Sequence, residues 1–132
     1  MRLVFIAIFV VILGLAADPG SATIYILDSP LWKEIPGTEP SPDSGPEYSY
    51  SASVDLNSLN RKGDLITYDL VNADAGYARM QTNCKTRQSR AIRQGSFESS
   101  SRVNFASIKG SWSSSEDAYK KAITLFICKK FR

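Results

Sequence analysis

Histidine is absent from this 132-residue chain. That removes Ser-His-Asp and Cys-His triads, His-ligated zinc and imidazole general bases from consideration. Cysteine is scarce: Cys84 and Cys128 are the only two, and they form no Cys-x-x-Cys pair. The spacing signatures of zinc sites and dithiol redox centres are therefore missing. Long apolar runs are missing too. The longest, residues 3–17 ("LVFIAIFVVILGLAA"), falls short of the ~20 residues that span a bilayer comfortably. There are no internal repeats. The proline-rich stretch "PGTEPSPDSGP" is no strong PxxP ligand and reads as a loop over 36–47.

What is present at the start is Arg2, the apolar run, and then Gly20-Ser21-Ala22. A basic head, an apolar middle and a small-residue end make a secretory signal peptide over 1–22. Cleavage after Ala22 is expected, with Ala16 and Ala17 as alternative positions. An uncleaved anchor is the competing reading, and the length of the run disfavours it. No cysteine lies near the cleavage region, so lipoprotein processing has no acceptor. Residues 23–132 fit one small domain.

The stretch Asn83 to Arg90, "NCKTRQSR", sets a cysteine among bases. Basic neighbours favour a reactive thiolate. An exported chain, however, reaches an oxidising space where two cysteines pair. A Cys84–Cys128 disulfide is therefore expected, with a reactive thiol as the alternative. Closing a loop of 44 positions is worth about 4 kcal/mol in the chain-entropy model. Small domains with limited cores benefit from such a staple.

Net charge is +3, unevenly spread along the chain. Residues 28–74 carry nine acids against three bases, and residues 75–132 carry twelve bases against three acids. That asymmetry concerns partners rather than fold.

Strict alternation in "YSYSASVDL" predicts a strand over 48–56, with Tyr48, Tyr50, Ala52, Val54 and Leu56 on one face. "NSLNRKGD" is turn chemistry, and "LITYDLV" predicts a strand over 65–71. A turn at 72–76 leads to a third strand over 77–87. There Met80, Thr82, Cys84 and Thr86 share one face, opposite Arg79, Gln81, Asn83, Lys85 and Arg87. "AIRQGSFESS" and "RVNFASI" extend the sheet. Ser113 and Glu116 have capping-box spacing. Tyr119, Ala122, Ile123, Phe126 and Ile127 then trace one side of an amphipathic helix. Cys128 would project about 160° from that side on an ideal helix. Either the helix unwinds near Leu125 or "ITLFIC" is partly extended.

Lys85, Arg87, Arg90 and Arg93 are the candidate binding residues, a basic sheet face for acidic glycans, phosphates or acidic proteins. The competing reading is a solvated strand face, with Arg90 partly buried against a carboxylate. Tyr48 and Tyr50, beside the proline-rich loop, are the exposed-aromatic candidates. Asp55, Asp64, Asp69 and Asp74 are read as structural, since nothing pairs them for hydrolysis. No metal ligand set, catalytic residue or cofactor is expected.

Trp32, "SVDLNSLNRKGDLITYDLV", "NCKTRQSR", Trp112 in "GSWSSS" and the final "FICKK" together resemble the bacterial surface-adhesin protein E family. The resemblance covers almost all of residues 23–132 and rests on motif order and spacing. It implies an α+β fold: a bent antiparallel sheet of about five to six strands, with a C-terminal helix packed on it and tied by one disulfide. It also implies adhesive binding of host matrix or plasma proteins. The founding adhesin is lipid-anchored, whereas this chain lacks the cysteine for that.

The functional expectation is an exported, non-enzymatic binding or adhesion module. It would be secreted, periplasmic or at the cell surface, non-lipidated, and without a stable membrane span after signal cleavage. Its partners would be extracellular or cell-envelope macromolecules, an acidic glycan or protein, and not nucleic acid. The alternatives are a periplasmic accessory or structural protein with no adhesive role, and a secreted carboxylate-dependent hydrolase.

Overall fold

A computed structural model describes residues 23–40, 42–43, 50–114 and 117–130. The expected signal peptide, Tyr48 and Glu116 lie outside the described residues. The fold is α+β: an antiparallel sheet, one C-terminal helix, and a disulfide between them. In chain order the strands are β1 (Thr23–Ile26), β2 (Trp32–Glu34), β3 (Ser53–Asp55), β4 (Asn60–Lys62), β5 (Leu65–Val71), β6 (Tyr77–Asn83), β7 (Gln88–Ser99), β8 (Arg102–Ser107) and β9 (Ser113–Ser114). The count exceeds five to six because several strands are only two to four residues long.

The spatial order is β1-β8-β7-β6-β5-β3-β2, with β4 on β5 and β9 on β7. Its two edge strands, β1 and β2, are consecutive in the chain and joined by only five residues, 27–31. Six steps of extended chain reach at most ~22 Å. A flat sheet would hold its edges six spacings apart, about 29 Å. The sheet must therefore curl, and the linker marks where it closes. Leu27 N–H donates to the Ser101 carbonyl (2.8 Å), and the Trp32 indole donates to the Ser100 carbonyl (3.2 Å). Leu27, Tyr77, Val103 and Phe105 fill the concave side, with Trp32 and Phe97 against them. Trp32 and Tyr77 both meet the Phe97 ring edge-on, at centroid distances of 5.6 and 5.8 Å.

The other side of the sheet carries the larger core. Ile66, Tyr68 and Leu70 of β5 pack with Ile35, Ala52 and Val54 under Ile123 and Ile127 of the helix. Alternation in "LITYDLV" accounts for this: even positions face the helix, and Asp69 faces the concave side. The strand expected at 48–56 is much shorter. Ala52 and Val54 are buried as alternation requires, but Tyr50 is 59% exposed. Leu56 begins a one-turn 3-10 helix, Leu56–Ser58, because Asp55 caps it by accepting from Asn57 N–H (3.0 Å).

β7 is bent by a bulge: Arg79 pairs with Arg93 but Met80 pairs with Ala91, leaving Ile92 extra. Gly95 and Gly110 permit close packing along this strand. A Cβ on either would run into the carbonyl oxygen of Asn104 or Ala91, respectively.

Helix α1 (Ala118–Lys130) is continuous through Cys128. Neither unwinding nor an extended tail occurs. Instead the buried side is rotated to Ile123, Thr124, Ile127 and Cys128, so a polar threonine sits in the contact and bridges Ile123 to Cys128. The N-cap is Asp117, whose carboxylate accepts from Lys120 N–H (2.7 Å); Ser113 lies in β9 instead. The disulfide joins Cys84 and Cys128 with Cα atoms 5.5 Å apart, and no free cysteine remains. Among the described residues no helix is long and apolar enough to cross a membrane.

Candidate anion-binding pole

In a meander, successive turns fall alternately at opposite ends of the sheet, so the residues of each turn decide the charge of an end. The β5–β6 turn carries Asp74, which accepts from Gly76 N–H (2.9 Å). Glu39 and the cap Asp117 lie at the same end, and the three carboxylates line one open cleft of about 590 Å³ with Tyr119 and Ala73. The Tyr119 hydroxyl accepts from Ala73 N–H (3.1 Å), fixing the helix start to this end, and burial raises the Tyr119 pKa.

The opposite end gathers three segments. The first is β4 with the turn Gly63-Asp64 that follows it, with Gly63 at φ +61. The β6–β7 turn is Cys84-Lys85-Thr86-Arg87. The third segment is the last turn of α1, with Lys129 and Lys130. Cys84 N–H donates to the Asp64 carbonyl (2.8 Å), and the disulfide brings in Cys128. Arg61, Lys62, Lys85, Arg87, Lys129 and Lys130 are all exposed there. Asp64 is the only acid in these three segments. The basic residues at the helix C-terminus and Asp117 at its start both suit the helix dipole.

Lys85 and Arg87 are thus turn residues and not part of a strand face. β6 stops at Asn83 because its side-chain oxygen accepts from Lys85 N–H (3.0 Å) and Thr86 N–H (3.2 Å). Arg87 N–H closes the turn on the Asn83 carbonyl (2.8 Å), with Arg87 in the left-handed region at φ +61.

Arg90 and Arg93 are elsewhere, on the concave side of β7. Arg90 Nε donates to Gln81 Oε1 (2.8 Å), and its guanidinium lies 4.6 Å from the centre of the Trp112 ring. Its partner is an amide and an indole, not a carboxylate. Arg93 stacks 4.4 Å from Phe105 and 5.3 Å from Tyr25. Its Nη1 is buried without a hydrogen-bond partner among the described residues, and aromatic faces pack against the guanidinium. The four candidate bases therefore divide into two pairs of different kind: Lys85 and Arg87 are exposed at the pole, while Arg90 and Arg93 are half-buried on rings. Tyr50 belongs to the acidic end, where its N–H donates to the Ala73 carbonyl (3.2 Å).

Between the two ends lies a buried charge layer that sequence reasoning missed. Arg79 donates to both oxygens of Asp69, at 2.7 and 2.9 Å, across the β5–β6 pair. Tyr77 donates its hydroxyl to Asp69 Oδ1 (2.7 Å). Burial raises the Tyr77 pKa, and the hydrogen bond to the Asp69 carboxylate raises it further. The bond to Asp69 holds the Arg79 guanidinium charged. The available signal was Asp69 itself, an acidic residue inside a β-branched apolar strand. Asp55 is also structural: it accepts from Leu31 N–H (2.9 Å). No cluster of three or more potential metal ligands occurs among the described residues.

Fold and pole together define a small disulfide-stapled α+β domain with a polarised surface. No protein-family model, no curated protein and no solved structure matches this chain.

Proposed function

We propose that the chain is an exported, non-enzymatic binding module that holds an acidic macromolecule, glycan or protein, at its basic pole. One observation carries this reading: six exposed cations from three segments gather at the disulfide-bearing end, and Asp64 is the single acid among the described residues of those segments. Exposed cations on adjacent turns contact a partner as a surface and act through salt-dependent attraction. The resemblance to the surface-adhesin protein E family supports the binding-module class, and the disulfide supports an oxidising destination. The test is retention of the folded protein on a heparin column. Lys85→Glu with Arg87→Glu should elute at clearly lower salt, while Arg90→Gln, outside the pole, should elute with wild type. Equal elution of wild type and the double variant removes the pole as the contact surface.

A further inference from the structure

The helix does not close fully over the sheet. Near its start a cleft of about 240 Å³ opens between α1 and β6–β7. The cause is legible along the helix. Lys120 occupies the same side as Ile123, Thr124 and Ile127, one turn earlier. Where the stripe calls for an apolar residue it has a lysine, and the lysine side chain stays exposed. Tyr68, Leu70, Met80 and Ile123 are left as an apolar floor.

Apart from Ala91 the remaining lining is polar, with Arg90 as a second cation at its edge, and no carboxylate is among the described lining residues. Ser89, Ser111 and Ser113 stand on the strand side, and Lys120 on the helix side. The polar groups below are already satisfied: the Tyr68 hydroxyl bonds Thr82 Oγ1 (2.8 Å), which bonds Ser89 Oγ (2.8 Å). Ser89 ends this relay at the cleft wall. Among the described residues, Lys120 Nζ has only a long, exposed contact with Asp117 (3.9 Å), too weak to hold it.

We infer that this cleft binds a small amphipathic carboxylate, with its apolar tail on Tyr68, Leu70 and Met80 and its head between Lys120 and the serines. The volume sets the size. At roughly 30 Å³ per water-sized group, about eight non-hydrogen atoms fit, the size of hexanoate. This site is separate from the basic pole and stands whether or not the pole binds a polyanion.

The probes are hexanoate, hexan-1-ol and hexylammonium, titrated into the isotopically labelled oxidised protein and followed by amide shifts. Hexanoate should bind with a Kd of about a millimolar, as expected for so small a ligand, and shift Ser89, Ala91, Ser111 and Lys120 together. Hexanol should bind several-fold more weakly, and hexylammonium least. Lys120→Gln should bring hexanoate down to the level of hexanol. Ala91→Leu, which fills the cleft from β7, should abolish the shifts; Ser111→Leu, narrowing the mouth from its exposed side, serves if Ala91→Leu does not fold. Three results would each overturn the assignment: equal binding of hexanoate and hexanol, shifts confined to Lys85 and Lys129, or undiminished binding in the filled variant.

Discussion

The two ends of the sheet are built from the same kinds of turn yet carry opposite charge. At one, Glu39, Asp74 and Asp117 surround the start of the helix. At the other, Lys85, Arg87, Lys129 and Lys130 surround its finish, with Arg61 and Lys62 beside them. This polarity does not follow the acidic and basic halves of the chain. Arg61 and Lys62 come from the acidic half and join the basic end. Asp117 comes from the basic half and caps the helix at the acidic end. Charge is sorted by which turn a residue occupies, so a count along the sequence gives the imbalance but not its axis.

The means of fastening also differ. The basic end is stapled covalently, whereas the acidic end is held by a cap and the Tyr119–Ala73 hydrogen bond. The largest expected effect lies between them. Asp69→Ala leaves Arg79 and the Tyr77 hydroxyl without their shared acceptor and should cost about 3–5 kcal/mol, read by denaturant unfolding. If the loss is under about 1 kcal/mol, the layer is not what holds the two ends in register.

Removing the staple comes next. Cys84→Ser with Cys128→Ser should lose about 2–5 kcal/mol. Amide exchange should quicken first in the last turns of α1, while β5 stays protected. Faster exchange at Ala118–Tyr119 first would reverse the proposed difference between the ends. At the acidic end, Asp117→Ala should cost about 1 kcal/mol by losing the cap, a smaller loss than cutting the disulfide.

High pH probes the interior. Burial pushes the Tyr68 pKa up to about 12 and raises that of Tyr77 as well. A raised folded pKa means stability that is complete below the unfolded value of about 10 and is lost as pH climbs toward 12. The thermal midpoint should therefore fall between pH 10 and 12, and less steeply in Tyr77→Phe. The smallest stability effect belongs to Lys85→Glu with Arg87→Glu, within about 0.5 kcal/mol, since both side chains are exposed. Its consequence should be confined to heparin elution.

β5 was legible residue for residue because alternating β-branched and apolar positions between two turns leave little choice. β6 was read four residues too long. Lys85 and Arg87 keep the alternation of a strand, and the turn depends on one asparagine side chain and on an arginine adopting a left-handed conformation, which arginine rarely signals. The Cys128 geometry was misread for a different reason. Hydrophobicity alone placed the helix face around Tyr119 and Phe126, whereas the disulfide and Thr124 turn it toward Cys128. The expected basic face was only partly legible: Lys85 and Arg87 stand at the pole, Arg61, Lys62, Lys129 and Lys130 were not singled out, and the bulge and the turn that separate Arg90 and Arg93 from Lys85 and Arg87 leave no compositional trace. The closing of the sheet was readable only once strand order was known, from the five residues between β1 and β2.

The position of Cys84 has a consequence for recognition. It is the first residue of the turn that presents Lys85 and Arg87, and its sulfur is fixed to the helix that presents Lys129 and Lys130. Ordering a residue's backbone costs about 1–2 kcal/mol. Here that ordering is completed during folding, so the backbone beneath these cations is already fixed and the binding proposed for the pole would not have to order it.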